Sequence, residues 1–231
     1  MNNPKEILRD YLDKIIHRFL NTKSIFHELK RINSWSTPER IETLNHGFHF
    51  FQLSTYSMTR IYMVELAAIL SAREERSLID WLKKAREHAK SISPTRYNPN
   101  CMDEREPIKA EEYQSIIDKN QSELDNHKIL INQIKAWRDK LIAHIDKKYF
   151  NEPSAIYQDY QISNTEIDQL IEAVSKILHE HYLYLFNADL RMEILSEMNV
   201  DSVLNYVRAF QRIRNDKELI NSGFRPVEYL D

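Results

Sequence analysis

Apolar residues recur at helical spacing along almost the whole chain. Leu8, Leu12, Ile15, Phe19 and Phe26 follow Pro4 at intervals that predict an amphipathic helix to about Ile32. Thr37, Pro38 and Glu39 form a start signal, an N-cap followed by proline at the first helical position. The helix predicted from there carries two stripes. Leu44, Phe48, Phe51, Met58, Tyr62, Leu66 and Ile69 form one, and Phe50, Leu53, Ile61, Val64 and Ala68 form the other on the opposite side. A helix apolar on two sides needs two partners, so it is expected at the centre of a bundle or at a subunit interface. Ser77 with Asp80 resembles a capping pair opening a third helix through Leu78, Trp81, Leu82 and Ala85 to about Lys90.

Pro94, Pro99 and Pro107 punctuate residues 91–108, which read as a loop or lid. A fourth helix is predicted from about Lys109 to His144, with Tyr113, Ile116, Leu124, Leu130, Ile131, Ile134, Trp137, Leu141 and Ile145 on one face. Ser163 and Glu166 make a capping box for a fifth helix reaching Leu185, and a short basic helix follows from about Asp201 to Asn215. The pattern predicts an all-α fold, an up-and-down bundle of four to five main helices with a short extra C-terminal helix. Residues 1–190 are expected to form the bundle and residues 191–231 a C-terminal appendage and tail.

Composition strengthens this and removes alternatives. Ordinary usage would give roughly sixteen glycines, yet the 231 residues contain only Gly47 and Gly223. Phosphate-cradling glycine loops, dinucleotide fingerprints and tight hairpins are therefore excluded. The 32 basic and 35 acidic residues give a net charge of -3, so any nucleic-acid contact must be local. Cys101, the single cysteine, excludes an intramolecular disulfide and multi-cysteine zinc sites. Charges in Met1–Asp10 stand where a signal peptide needs an apolar run, and the longest apolar stretch, Ile61–Leu70, contains Glu65. A soluble, cytoplasmic protein without cofactor is expected.

Candidate chemistry lies late in the fourth helix. On a helical projection at ~100° per residue, Arg138 falls close to the centre of the apolar stripe. A guanidinium there is costly without acceptors, so it needs a partner or a ligand. His144, six positions later, lies about 120° round the helix at the stripe's edge. The pair is placed to look into one crevice. Residues 135–148 are locally basic, with Lys135, Arg138, Lys140, Lys147 and Lys148 against Asp139 and Asp146, a footprint the size of a few phosphates. His179 and His181 flank Glu180, but residues i and i+2 point to different sides of a helix, so no metal site is expected there.

The string Trp137-Arg138-Asp139-Lys140-Leu141-Ile142-Ala143-His144-Ile145-Asp146 resembles the signature of the HEPN superfamily, an Arg separated from a His by a few residues late in a long helix. With the segment Arg73 to Trp81 ahead of it, the chain is most similar to the abortive-infection AbiU-like branch, over roughly residues 40–185 by element order. The resemblance implies a metal-independent endoribonuclease, or a descendant of one, of toxin or antiphage-defence type. It also implies a homodimer whose Arg/His pairs face each other, and an antitoxin partner is compatible with it.

The reaction needs a base for the 2'-hydroxyl proton, an acid for the leaving oxygen and a cation for the charge growing on phosphate. His144 suits proton transfer and Arg138 charge stabilisation, while two protomers would supply two histidines. Asp139 could orient one of the pair or cap Arg138 at rest, and Asp146 could fix the tautomer of His144. Two other readings stand beside this one: a non-catalytic HEPN-like protein that binds a nucleotide, RNA or a partner, and a structural helical module.

Overall fold

The computed structural model describes residues 3–33, 37–99, 106–143, 146–152, 154–193 and 199–223. The regular elements among these residues are all helical, with one isolated bridge between Thr95 and Pro107. The protein is all-α. Its elements are α1 (Pro4–Asn33), α2 (Pro38–His46), α3 (Phe48–Ile69), α4 (Leu78–Glu87), α5 (Ala89–Ile92), α6 (Ala110–Asn126) and α7 (Lys128–Trp137). A π-helical stretch, Arg138–Ala143, follows, and then α8 (Lys147–Asn151), α9 (Ala155–Asp159), α10 (Asn164–Phe186), α11 (Val200–Arg214) and α12 (Lys217–Asn221). No described helix is long and apolar enough to cross a membrane.

The start signals act as their chemistry dictates. Thr37 accepts from the Arg40 amide, Ser77 from Asp80, and Ser163 closes a reciprocal capping box with Glu166. Two expected long helices are interrupted. The second breaks at Gly47, whose amide bonds back to Leu44 at 3.1 Å before α3 begins. Glycine is a weak helix former, and a Cβ there would meet the Phe51 ring at 3.1 Å. The fourth breaks at His127, where the amide turns back to Leu124 at 3.0 Å. Asp125 and Asn126, whose side chains compete with helical backbone bonds, precede that break. In the expected 91–108 loop, α5 takes up Ala89–Ile92 and Ser93 adopts a left-handed conformation with φ 47°. Thr95 then bonds to the Tyr184 carbonyl and Ile108 to that of Pro94. Cys101 lies outside the described residues.

The chain divides into two compact units, Met1–Ile25 with Arg60–Ile194, and Phe26–Thr59 with Leu195–Asp231. In the first, α6 packs on α4, α5 and α10. Leu12, Phe19, Leu66, Trp81, Tyr113, Leu170 and Val174 are almost wholly buried there, each such side chain worth about 1.5–3 kcal/mol of transfer free energy. This core also holds a polar group. His181 has no exposed surface, its Nδ1 lies 3.0 Å from the Tyr113 hydroxyl, and its Nε2 lies 3.2 Å from the Asn120 amide nitrogen. Burial lowers its pKa to about 3, so the ring is neutral. His179, on another side of α10, meets Asp189 at 2.8 Å.

In the second unit α11 packs on α2, and Arg40 bonds to Asp201 at 2.6 Å. Glu28 accepts from the Val200 amide at 2.9 Å. The second stripe of α3 finds no cover here, since Phe50 is 67% and Leu53 66% exposed. Phe48, of the first stripe, is exposed as well.

Candidate functional site

α7 delivers Arg138. Leu130, Ile131, Ile134 and Trp137 bury one face of that helix, and the Trp137 indole donates to the Tyr160 carbonyl at 3.1 Å. Its ring also meets the edge of Tyr157, at 4.8 Å between centroids. The helix thus ends against a fixed wall, and Arg138, the next residue, begins the π-helical stretch. Such stretches are rare inside helices and concentrate at functional sites. The stretch is closed by the Asp146 amide bonding to the Lys140 carbonyl at 2.9 Å. Because i→i+5 bonding widens the turn, the α-helical step does not hold across residues 138–143. His144 itself lies outside the described residues.

The Arg138 guanidinium is partly buried, with 21% of its side chain exposed, and it is held from two directions. Nε donates to Asp139 at 2.8 Å, and Nη1 donates to Glu74 at 3.4 Å. Glu74 comes from the loop between α3 and α4. That loop begins with the Arg73 amide on the Ser71 hydroxyl and the Glu74 amide on the Ser71 carbonyl. It ends at Ser77, where the Tyr11 hydroxyl reaches the carbonyls of Glu75 and Ser77, each at 3.0 Å, and the Asp80 carboxylate at 2.9 Å. Both acids on Arg138 are themselves exposed, Glu74 by 52% and Asp139 by 53%. The guanidinium is paired but not sealed.

A second cation lies beside it. Half-buried Lys135 has its pKa lowered, first by desolvation and then by the positive charges of Arg138 and Arg73. Arg73, Lys135 and Arg138 thus form one mutually repelling group, with Glu74 and Asp139 the carboxylates beside it.

The remaining lysines of the basic stretch stand apart from this group. Lys140 donates to the Tyr160 hydroxyl at 2.6 Å and lies over the Tyr160 and Tyr149 rings. The hydrogen bond to Tyr160 holds its ammonium above the usual range. Lys148 pairs with Asp159, which also accepts from the Tyr149 hydroxyl at 2.7 Å. These bonds lower the Asp159 pKa and push the Tyr149 hydroxyl up. Lys147 is exposed at the start of α8. Asp146 caps α8, its carboxylate accepting from the Lys148 amide at 2.9 Å. Sequence reasoning had assigned no role to Arg73, Glu74, Asp159 or Tyr160. The acidic and basic run around Arg73 was visible in the sequence, but nothing local said that it would fold against Arg138.

A family model described as AbiU2, of HEPN type, matches residues 6–206. The chain belongs to the AbiU2 family of HEPN proteins. Among curated proteins and solved structures, none matches it. In this AbiU2 chain the match takes in both the loop that carries Glu74 and the whole Arg138 segment. Membership places the protein with the abortive-infection HEPN group. Among the described residues no cluster of three His, Cys, Asp or Glu side chains could hold a metal.

Proposed function

We propose that this AbiU2 protein is a metal-independent endoribonuclease of toxin or antiphage-defence type. The observation that carries the reading is the state of Arg138: a guanidinium in the motif, at the first residue of a π-helical stretch, beside two further cations and paired with two exposed carboxylates. A phosphodiester can displace Asp139 and Glu74 because neither is locked in place by burial. Arg138 then stabilises charge on the phosphate oxygens, with Lys135 and Arg73 adding positive potential. His144 takes the 2'-hydroxyl proton, the 2'-oxygen attacks the adjacent phosphorus, and the 5'-oxygen leaves with a proton from the second protomer's histidine. The products are a 2',3'-cyclic phosphate and a 5'-hydroxyl end. In this scheme Asp146, already the cap of α8, acts near His144 chiefly by holding the chain after the π stretch. Lys140, Lys147 and Lys148 supply outlying contacts to RNA.

The uncovered stripe of α3, with Phe50, Leu53 and Ile61 exposed, supports assembly as a homodimer, since monomers rarely leave large contiguous apolar patches exposed. An antitoxin protein is the alternative occupant of that stripe. The test is incubation of chelator-treated protein with mixed RNA, alongside Arg138→Ala and His144→Ala. His144→Ala should lose about 10²–10⁴-fold in cleavage rate while remaining folded. Cleavage by neither wild type nor variants, with RNA affinity lost in Arg138→Ala, would replace this reading with a non-catalytic binding role.

A further inference from the structure

Tyr160 stands between α9 and α10 and is fixed from both sides. Its amide bonds to the Ile156 carbonyl at 2.9 Å in the last turn of α9, and three residues later Ser163 opens the capping box of α10. Its neighbour Asp159 accepts from the Tyr149 hydroxyl at 2.7 Å and pairs with Lys148, which ties the same segment to α8. A residue held in this way is a firm support for whatever leans on it.

The carbonyl and the hydroxyl of Tyr160 both meet one turn of the chain. The carbonyl accepts from the Trp137 indole at 3.1 Å, and the hydroxyl accepts from the Lys140 ammonium at 2.6 Å. Lys140 also lies over the Tyr160 ring at 5.0 Å and over the Tyr149 ring at 5.7 Å, cation–π contacts that add to the hydrogen bond. Trp137 is the residue before Arg138 and Lys140 the second after it, so the two anchors bracket Arg138. A third bond, from the Asp146 amide to the Lys140 carbonyl, fixes Lys140 from its other side.

π-Helical turns are rare, and uncommon backbone geometry persists where the surroundings over-determine it. Here one residue outside the helix supplies two of the constraints. With both ends of the turn tied to Tyr160, the direction in which Arg138 leaves the backbone is set. The guanidinium stands at the end of a long side chain, where a small rotation of the turn becomes a large displacement. Its two bonds, Nε to Asp139 and Nη1 to Glu74 in another part of the chain, both need that direction.

We propose that Tyr160 is a positioning residue for the Arg138 site: through the Trp137 indole and the Lys140 ammonium it holds the π-helical turn that aims the guanidinium. It acts through those two residues and not on the reacting atoms. The kinetic part of the proposal rests on the nuclease reading, in which a charge-stabilising group misplaced by about 1 Å can lose about 10²-fold in rate.

Tyr160→Phe in the full chain tests it, because the ring and carbonyl stay while the hydroxyl and its bond to Lys140 go. In RNA cleavage by the chelator-treated protein, kcat should fall by about tenfold or more. KM should hold within about twofold, since the Lys140 charge remains. Lys140→Met should lose a similar factor in kcat, whatever its missing charge does to KM. The double variant should be no slower than the slower single one, because both changes break the same bond. Lys140→Arg keeps a donor for the hydroxyl and should recover most of the rate. A second readout needs no cleavage. The Arg138 Nε–H resonance of arginine-labelled protein, assigned with Arg138→Lys, should move in Tyr160→Phe while circular dichroism and the urea midpoint stay close to wild type. Several results overturn the proposal: unchanged kcat in Tyr160→Phe, additive losses in the double variant, an unmoved Arg138 resonance, or a fall in rate explained by a matching loss of folded protein. If the wild type cleaves no RNA, the nuclease reading fails and the resonance alone decides the positioning role. If Tyr160→Phe does not fold, Lys140→Met carries the same comparison.

Discussion

Replacing Glu74 with Gln isolates the carboxylate that reaches Arg138 from another part of the chain. The two groups are 3.4 Å apart, with Glu74 half exposed and Arg138 mostly buried. Exposed ion pairs couple by about 0.2–1 kcal/mol, and partial burial of the guanidinium puts this pair near the top of that range. Folding stability should therefore fall by no more than about 1 kcal/mol. On the proposed reading RNA competes with Glu74 for the same guanidinium, so releasing that competition should raise RNA affinity by at most about fivefold, since 1.4 kcal/mol is tenfold. The gain is capped because Asp139 still holds Nε at 2.8 Å. Fluorescence anisotropy of a labelled single-stranded RNA reads the effect, with His144→Ala as background so that the ligand stays intact. The salt dependence of binding should steepen slightly as one more cation becomes free to meet phosphate. Weaker binding in Glu74→Gln would refute the competition argument. Unchanged binding in both Glu74→Gln and Arg138→Ala would remove Arg138 from the RNA interface altogether.

The core histidine makes a prediction about pH. Its pKa is about 3 in the folded protein against an ordinary 6.5, so the unfolded chain binds the proton more readily. Stability is then complete above pH 6.5 and declines as pH falls toward 3, by about 2 kcal/mol at pH 5 from this group. Urea unfolding at pH 7 and pH 5 measures it, and a wild-type protein equally stable at both values contradicts the buried, neutral assignment. Ser163→Ala removes the hydroxyl that accepts from Glu166, and with it half of the capping box. The expected loss is about 0.5–2 kcal/mol in thermal or urea unfolding, and an unchanged midpoint would show that the rest of α10 carries its own start.

Helix identity was legible in the sequence because each helix states its own period and its own start. Thr37, Ser77 and Ser163 lie within three residues of the amides they cap, so the information is local and survives any tertiary arrangement. The breaks at Gly47 and His127 were less legible, because a single weak helix former changes the local balance by only about 1 kcal/mol and packing decides the outcome. His181 shows the same limit. From sequence it was one of two histidines flanking Glu180, and only the approach of Tyr113 and Asn120 from α6 makes it a core group.

At the candidate site the limit is sharper. Projecting residues 109–145 onto one α-helix places Arg138 near the middle of an apolar stripe and so demands a partner or a ligand for it. In the structure Asp139 and Glu74 pair with it. The projection fails one residue later, because Arg138 begins a stretch with a wider turn. The widening has identifiable supports in Trp137 on the Tyr160 carbonyl, Lys140 on the Tyr160 hydroxyl, and the Asp146 amide on the Lys140 carbonyl. Two of these depend on Tyr160, more than twenty positions beyond Trp137 and in no repeating pattern with it. The stretch that Arg138 opens is therefore braced by a residue outside it, which no local pattern could announce.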